Sequence, residues 1–67
     1  MAFYSTLDSL VNVPGYHAGR TGWPSGQYLW LDATLGSVVI RLHRADGTEE
    51  VWKPTQDALL TTDWEAR

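Results

Sequence analysis

The sequence has no cysteine, so neither a disulfide nor a thiolate metal site can stabilise its fold. Histidine is nearly as scarce. His17 and His43 are the only remaining strong transition-metal ligands, and two imidazoles far apart in the chain do not make a zinc-ligand pattern. Positive charge is thin too: 5 Lys and Arg stand against 8 Asp and Glu, for a net charge of −3. That balance argues against a general binder of polymeric nucleic acid, which would present a basic face. It leaves room for a small anion held by one or two arginines and backbone amides. Long apolar runs are missing. Nothing approaches the roughly 18 residues of a membrane span. No basic segment followed by an apolar run marks a signal peptide. The expected location is the cytoplasm of the cell in which the protein acts. No Gly-x-Ser-x-Gly elbow, P-loop or dinucleotide fingerprint is present, so an enzyme is not expected and no cofactor is implied. Asp46, Glu49, Glu50, Asp57, Asp63 and Glu65 read as solvated turn, rim and cap residues.

Aromatic residues, by contrast, are plentiful: 4 Trp, 3 Tyr and 1 Phe in 67 residues. One domain of this size buries only about 60% of the surface its unfolded chain exposes. Without disulfides or metal it needs another source of stability. Association of identical chains is the expected source, and abundant Trp suits surface buried at an interface or under a ligand.

The periodicities predict an α+β fold: a small antiparallel sheet with an N-terminal amphipathic helix and a short C-terminal helix. Phe3, Leu7, Leu10 and Val11 form one helical stripe, with Ser5 and Asp8 a capping-box-like pair inside it. Val13-Pro14-Gly15 ends that helix. Tyr16 to Arg20 is extended and Gly22 to Gly26 is a turn. Gln27 to Asp32 is a strand apolar on both faces, which predicts cover on both sides. After a loop over Ala33 to Ser37, Val38 to Arg44 and Thr48 to Lys53 form a hairpin through Asp46-Gly47. Thr55 N-caps a short helix through Leu60 with Asp57 in its first turn, docked by Leu59 and Leu60. Thr61 to Glu65 is an edge strand with Trp64 inward.

A two-residue Asp46-Gly47 turn pairs Ala45 with Thr48, His43 with Glu50, Leu42 with Val51 and Arg41 with Trp52. Side chains alternate along a strand, so Ile40, Leu42 and Val51 would face the core. Trp52 would share the opposite face with Arg41 and His43, there to meet a partner subunit, a loop or a ligand. A one-residue bulge reverses this assignment. His43 beside Glu50 reads as an exposed cross-strand pair rather than a catalytic base. Trp30 and Trp64 read as core. Trp23, in the glycine-flanked turn Gly22-Trp23-Pro24-Ser25-Gly26, either caps the end of the sheet or offers a stacking platform to a planar ring. Trp23 and Trp52 are thus the candidate stacking residues. Arg20 and Arg41 are candidates to meet phosphates. The amides that open the Thr55 helix are a further anion-binding candidate.

The stretches "GRTGW", "GQYLWL" and "ADGTEEVWKPTQDALLTTDW" together resemble the short phage and bacterial proteins of the Thoeris anti-defence Two family. Phe3, Leu7, Leu10, Arg20, Gly22, Trp23, Asp46, Gly47, Trp52, Thr55, Gln56, Leu59, Leu60, Asp63 and Trp64 fit its pattern, the "TQDALLTTDW" end most specifically. Residues 32 to 39 depart from it, since many members carry a longer insertion there. The resemblance implies a homo-oligomeric, tetrameric sponge. It would bind a cyclic nucleotide second messenger of bacterial immunity, a glycocyclic ADP-ribose or a cyclic dinucleotide, without cleaving it. By position it implies stacking by Trp23 and Trp52 and polar contacts from Arg20, Ser25, Thr55 and Gln56. Two other classes compete with it. One is an oligomeric structural or interaction protein with no small ligand. The other is a phosphodiesterase-like enzyme, for which the sequence supplies neither metal site nor base.

Overall fold

The computed structural model describes residues 1–67, apart from the side chain of Leu35. Its elements are α1 (Phe3–Asn12), β1 (Ala18–Arg20), β2 (Tyr28–Asp32), β3 (Val39–His43), β4 (Glu49–Val51), α2 (Gln56–Leu60) and β5 (Trp64–Ala66), with a 3₁₀ turn at Thr34–Gly36. The strands form one antiparallel sheet in the order β4-β3-β2-β1-β5. This is the α+β arrangement expected from the periodicities. Gly15, at φ 76°, makes the turn that the Val13-Pro14-Gly15 stop required.

The core lies on one face of the sheet. Leu29 and Leu42 pair across β2 and β3, and with Ala58 of α2 and Trp64 of β5 they form the buried cluster. Phe3 of α1 packs on it, so both helices cover this face. Neither helix lies on the opposite face, where Tyr28, Trp30 and Asp32 alternate with the core residues of β2. The expectation that β2 is covered on both sides therefore fails within one chain. Half-burial comes instead from cross-strand stacking. Tyr28 lies between His17, at a ring separation of 4.0 Å, and His43, at 4.8 Å. Trp30, expected in the core, sits on this outer face and its Nε1–H donates to Glu49 Oε2 at 2.8 Å.

Two amphipathic assignments are rotated. On α1 the buried positions are Thr6 and Leu10, with Phe3 beside them, while Leu7 and Val11 are exposed. Thr6, smaller than Leu, lets the helix backbone approach the sheet closely, and that turns the stripe by about one residue. On α2 the buried side chain is Ala58, and Leu59 and Leu60 are exposed. The Trp64 Nε1–H donates to the Ala58 carbonyl at 2.9 Å, which draws the α2 backbone against the indole and leaves space only for a small side chain.

The hairpin differs by one residue from the sequence expectation. Arg41 pairs with Val51, Leu42 with Glu50 and His43 with Glu49. The Arg44 N–H donates to the Thr48 carbonyl and the Gly47 N–H to the Arg44 carbonyl, both at 2.9 Å, so the loop is Ala45-Asp46-Gly47. Gly47 takes φ 91°, as the third residue of such a loop requires. The extra residue moves every pair by one position and every side chain to the other face. His43 Nδ1 accordingly lies 3.1 Å from Glu49 Oε2, not beside Glu50. The Trp52 N–H donates to the Ile40 carbonyl at 2.8 Å, which carries Trp52 to the core face.

A tryptophan cluster at the helix-covered end of the sheet

Four aromatic rings meet where α1, α2 and β5 converge. Phe3 packs on Trp52 at 5.5 Å and on Trp64 at 5.4 Å. Trp64, only 2% exposed, is the centre of the group. Trp23 meets it edge-on at 5.6 Å and 81°, and Trp52 does so at 5.9 Å and 88°. Edge-to-face contacts satisfy the ring quadrupoles and fix ring orientation better than apolar contact alone. Trp23 and Trp52 are each half-buried. Two indoles from separate segments, the β1–β2 loop and the chain after β4, are thus anchored on one buried indole and still present part of their surface.

Polar candidates border this cluster. Arg20 pairs with Trp64 across β1 and β5 and so projects to the same side of the sheet. Its Nε–H donates to Asp63 Oδ1 at 2.9 Å, its Nη2–H to Asp63 Oδ2 at 3.3 Å and its Nη1–H to Asp57 Oδ2 at 2.9 Å. The Asp63 and Asp57 hydrogen bonds raise the Arg20 pKa above its ordinary value. The same Arg20 bond, helped by the Thr61 hydroxyl, holds the Asp63 carboxyl below the usual range against partial desolvation. The Thr55 Oγ1 accepts from the Ala58 N–H at 3.2 Å, the expected N-cap, and Gln56 opens α2 in an exposed position. Ser25 is exposed in the turn two residues after Trp23.

Arg41 does not join them. It pairs with Trp30 on the outer face, and its Nε–H donates to Asp32 Oδ2 at 2.5 Å. The expectation that Arg41 and Trp52 share a face is corrected by the three-residue hairpin loop. A shallow cavity of about 190 Å³ lies elsewhere, between the end of α1, the Val13–His17 segment, Trp30 and Leu31, and none of the candidate residues lines it. Among the described residues no cluster of three His, Asp or Glu side chains is placed to hold a metal ion. No helix among the described residues is long and apolar enough to cross a membrane.

Arg67 went unnoticed in the sequence. Its guanidinium donates to the carbonyls of Arg20, Trp23, Pro24 and Gln27, and so grips the loop that carries Trp23. A lone arginine after a strand has no motif that announces such a role.

A sheet with helices on one face and a half-exposed tryptophan pair set on a buried third defines a small α+β domain with an aromatic surface site. The chain belongs to the Tad2-like family: the Thoeris anti-defense 2-like domain matches residues 1–66. It is therefore a member of a Thoeris anti-defence family. No curated protein matches it closely enough to add a relative.

Proposed function

We propose that this protein is a sponge. It binds a cyclic nucleotide immune messenger, a glycocyclic ADP-ribose or a cyclic dinucleotide, and holds it uncleaved in the host-cell cytoplasm, so that Thoeris or CBASS-type effectors are not triggered. The observation that carries this reading is the Trp23–Trp64–Trp52 arrangement in a chain of an anti-defence family. A nucleobase stacked on an indole gains about 1–3 kcal/mol, and two indoles locked by a third are ordered before the ligand arrives. Arg20, Ser25, Thr55 and Gln56 are the polar contacts. Of the two carboxylates that hold Arg20, Asp57 is 79% exposed, so a ligand phosphate displaces Asp57 and leaves Asp63 in place.

The assembly is proposed to be a homo-oligomer, a tetramer. Tyr4, Val11, Leu59 and Leu60 are exposed apolar side chains on the two helices of a domain too small to afford them. The same exposure supports a second reading, an oligomeric interaction protein with no small ligand, in which the tryptophans serve packing alone.

The test is depletion. Purified protein incubated with glycocyclic ADP-ribose or a cyclic dinucleotide should remove it from solution and return it intact on heating. Trp23→Ala should weaken binding by about ten- to a hundredfold with the oligomer unchanged by size-exclusion chromatography. Recovery of a cleaved product would instead establish an enzyme. Depletion of none of these messengers would leave the interaction protein.

A further inference from the structure

We propose that Arg67 is the positioning residue of the Trp23 loop, the clamp that holds this indole where a ligand can stack on it. The inference rests on the binding role proposed above for Trp23. Arg67 follows β5, and its N–H donates to the His17 carbonyl at 2.7 Å, so its backbone is fixed to the strand side of the loop. The side chain is only 13% exposed. Nη1 donates to Pro24 O at 2.6 Å and Gln27 O at 3.2 Å, and Nη2 donates to Arg20 O at 2.7 Å and Trp23 O at 3.1 Å. Four carbonyls from one eight-residue stretch thus converge on one cation. Two of them already accept bonds inside the loop: Arg20 O from the Trp23 N–H at 2.9 Å, and Pro24 O from the Gln27 N–H at 3.0 Å. The guanidinium therefore joins both internal turns of the loop into one unit.

Only a planar fork with several donors can meet such a set, and an ammonium cannot. Gly19 makes room for it. A Cβ at Gly19 would stand 2.5 Å from Arg67 Cδ and Nε, so any side chain there displaces the clamp. No positive backbone angle accounts for that glycine, since among the described glycines only Gly15, Gly36 and Gly47 have positive φ. Close approach of Arg67 explains it.

Amide hydrogen exchange and ligand titration together test the clamp. Arg67→Ala should speed exchange of the Trp23 and Gln27 amides by about tenfold or more, through local opening, while the β2–β3 ladder keeps its protection. Gly19→Ala, with the guanidinium intact but displaced, should do the same. Arg67→Lys should fall between Arg67→Ala and the parent. Affinity for glycocyclic ADP-ribose should fall about tenfold in Arg67→Ala and by much less when that change is added to Trp23→Ala, because the clamp acts chiefly through the ring it positions. Parent-like exchange of Trp23 and Gln27 in all three variants would overturn the clamp, as would an affinity loss that simply adds to that of Trp23→Ala. If Arg67→Ala does not fold, Gly19→Ala and Arg67→Lys carry the same measurements. If the parent binds no cyclic nucleotide, the sponge fails, and the exchange result still decides whether Arg67 orders the loop.

Discussion

Arg20 and Asp63 meet as a fork: Nε and Nη2 of the guanidinium face Oδ1 and Oδ2 of the carboxylate at 2.9 and 3.3 Å. The pair ties β1 to the segment that enters β5, and it depresses the Asp63 pKa. Asp32 behaves alike on the outer face, where the Thr34 hydroxyl and then Arg41 bring its carboxyl down to about 2. A carboxyl whose pKa is lower folded than unfolded contributes stability above its unfolded value, and that contribution is lost as pH falls through the folded one. The melting temperature should thus be flat from about pH 7 to 5 and fall between about pH 4 and 2, the window set by an unfolded Asp near 3.9. Asp63→Asn should lower the neutral-pH melting temperature and flatten part of the acid fall. Thermal unfolding followed against pH reads both, and a variant with the parent's full acid slope would remove Asp63 from the account.

The Thr55 cap supports α2, a helix of five residues that is too short to persist alone. Its hydroxyl accepts from the Ala58 N–H, and the Ala58 carbonyl accepts from Trp64. Thr55→Ala should cost about 1 kcal/mol in urea unfolding, the usual value of an N-cap, and Thr55→Ser should recover most of it. Should Ser do no better than Ala, the methyl group and not the oxygen would be what matters.

Local chemistry was legible in the sequence, and register was not. Thr55 as a cap, Val13-Pro14-Gly15 as a stop and Asp46-Gly47 as a hairpin each rest on the preferences of adjacent residues, and the structure bears them out. The placement of Trp64 inward also held. Trp52 went to the opposite face from that expected because one residue in a loop decides two faces of a strand, whereas Trp30 left the core because neither helix covers the outer face of β2. Leu59 and Leu60 gave way to Ala58, and Leu7 to Thr6, because closeness of a helix to its sheet selects small residues that hydrophobicity alone passes over. Trp23 and Trp52 still emerged together as candidates, but the reason is now different. They share the Trp64 ring, whereas the sequence suggested a glycine-flanked turn for Trp23 and the polar hairpin face for Trp52.

Thr6 is wholly buried, and its Oγ1 has no hydrogen-bond partner among the described residues. A desolvated hydroxyl without a partner costs about 1–3 kcal/mol relative to an apolar group of the same shape. Valine supplies that shape. Thr6→Val should therefore equal the parent or exceed it by about 1 kcal/mol in chemical denaturation, whereas Thr6→Ala should lose stability through the cavity it opens. A Thr6→Val protein clearly weaker than the parent would mean that the hydroxyl is bonded in solution.

The hairpin loop offers a sharper test, because two single-residue deletions separate loop length from register. Arg44 and Thr48 close the present three-residue loop. Deleting Ala45 leaves Asp46-Gly47 as a two-residue turn between the same closing pair, and Asp-Gly is well suited to it. Trp52 then stays opposite Ile40, and stability should change by no more than about 1 kcal/mol. Deleting Thr48 keeps the three-residue loop but brings Glu49 opposite Arg44. Each later pair moves by one, Val51 turns inward opposite Leu42, and Trp52 turns outward opposite Arg41. Phe3 and Trp64 lose the indole they pack against. That loss should cost about 2–3 kcal/mol, less than removal of a fully buried aromatic because Trp52 is half-buried, with red-shifted tryptophan emission and weaker messenger binding. The two deletions shorten the chain equally, so their difference reports the register of β4, with the face of Trp52 as its largest part. Equal stability in urea would show that the domain is indifferent to that face.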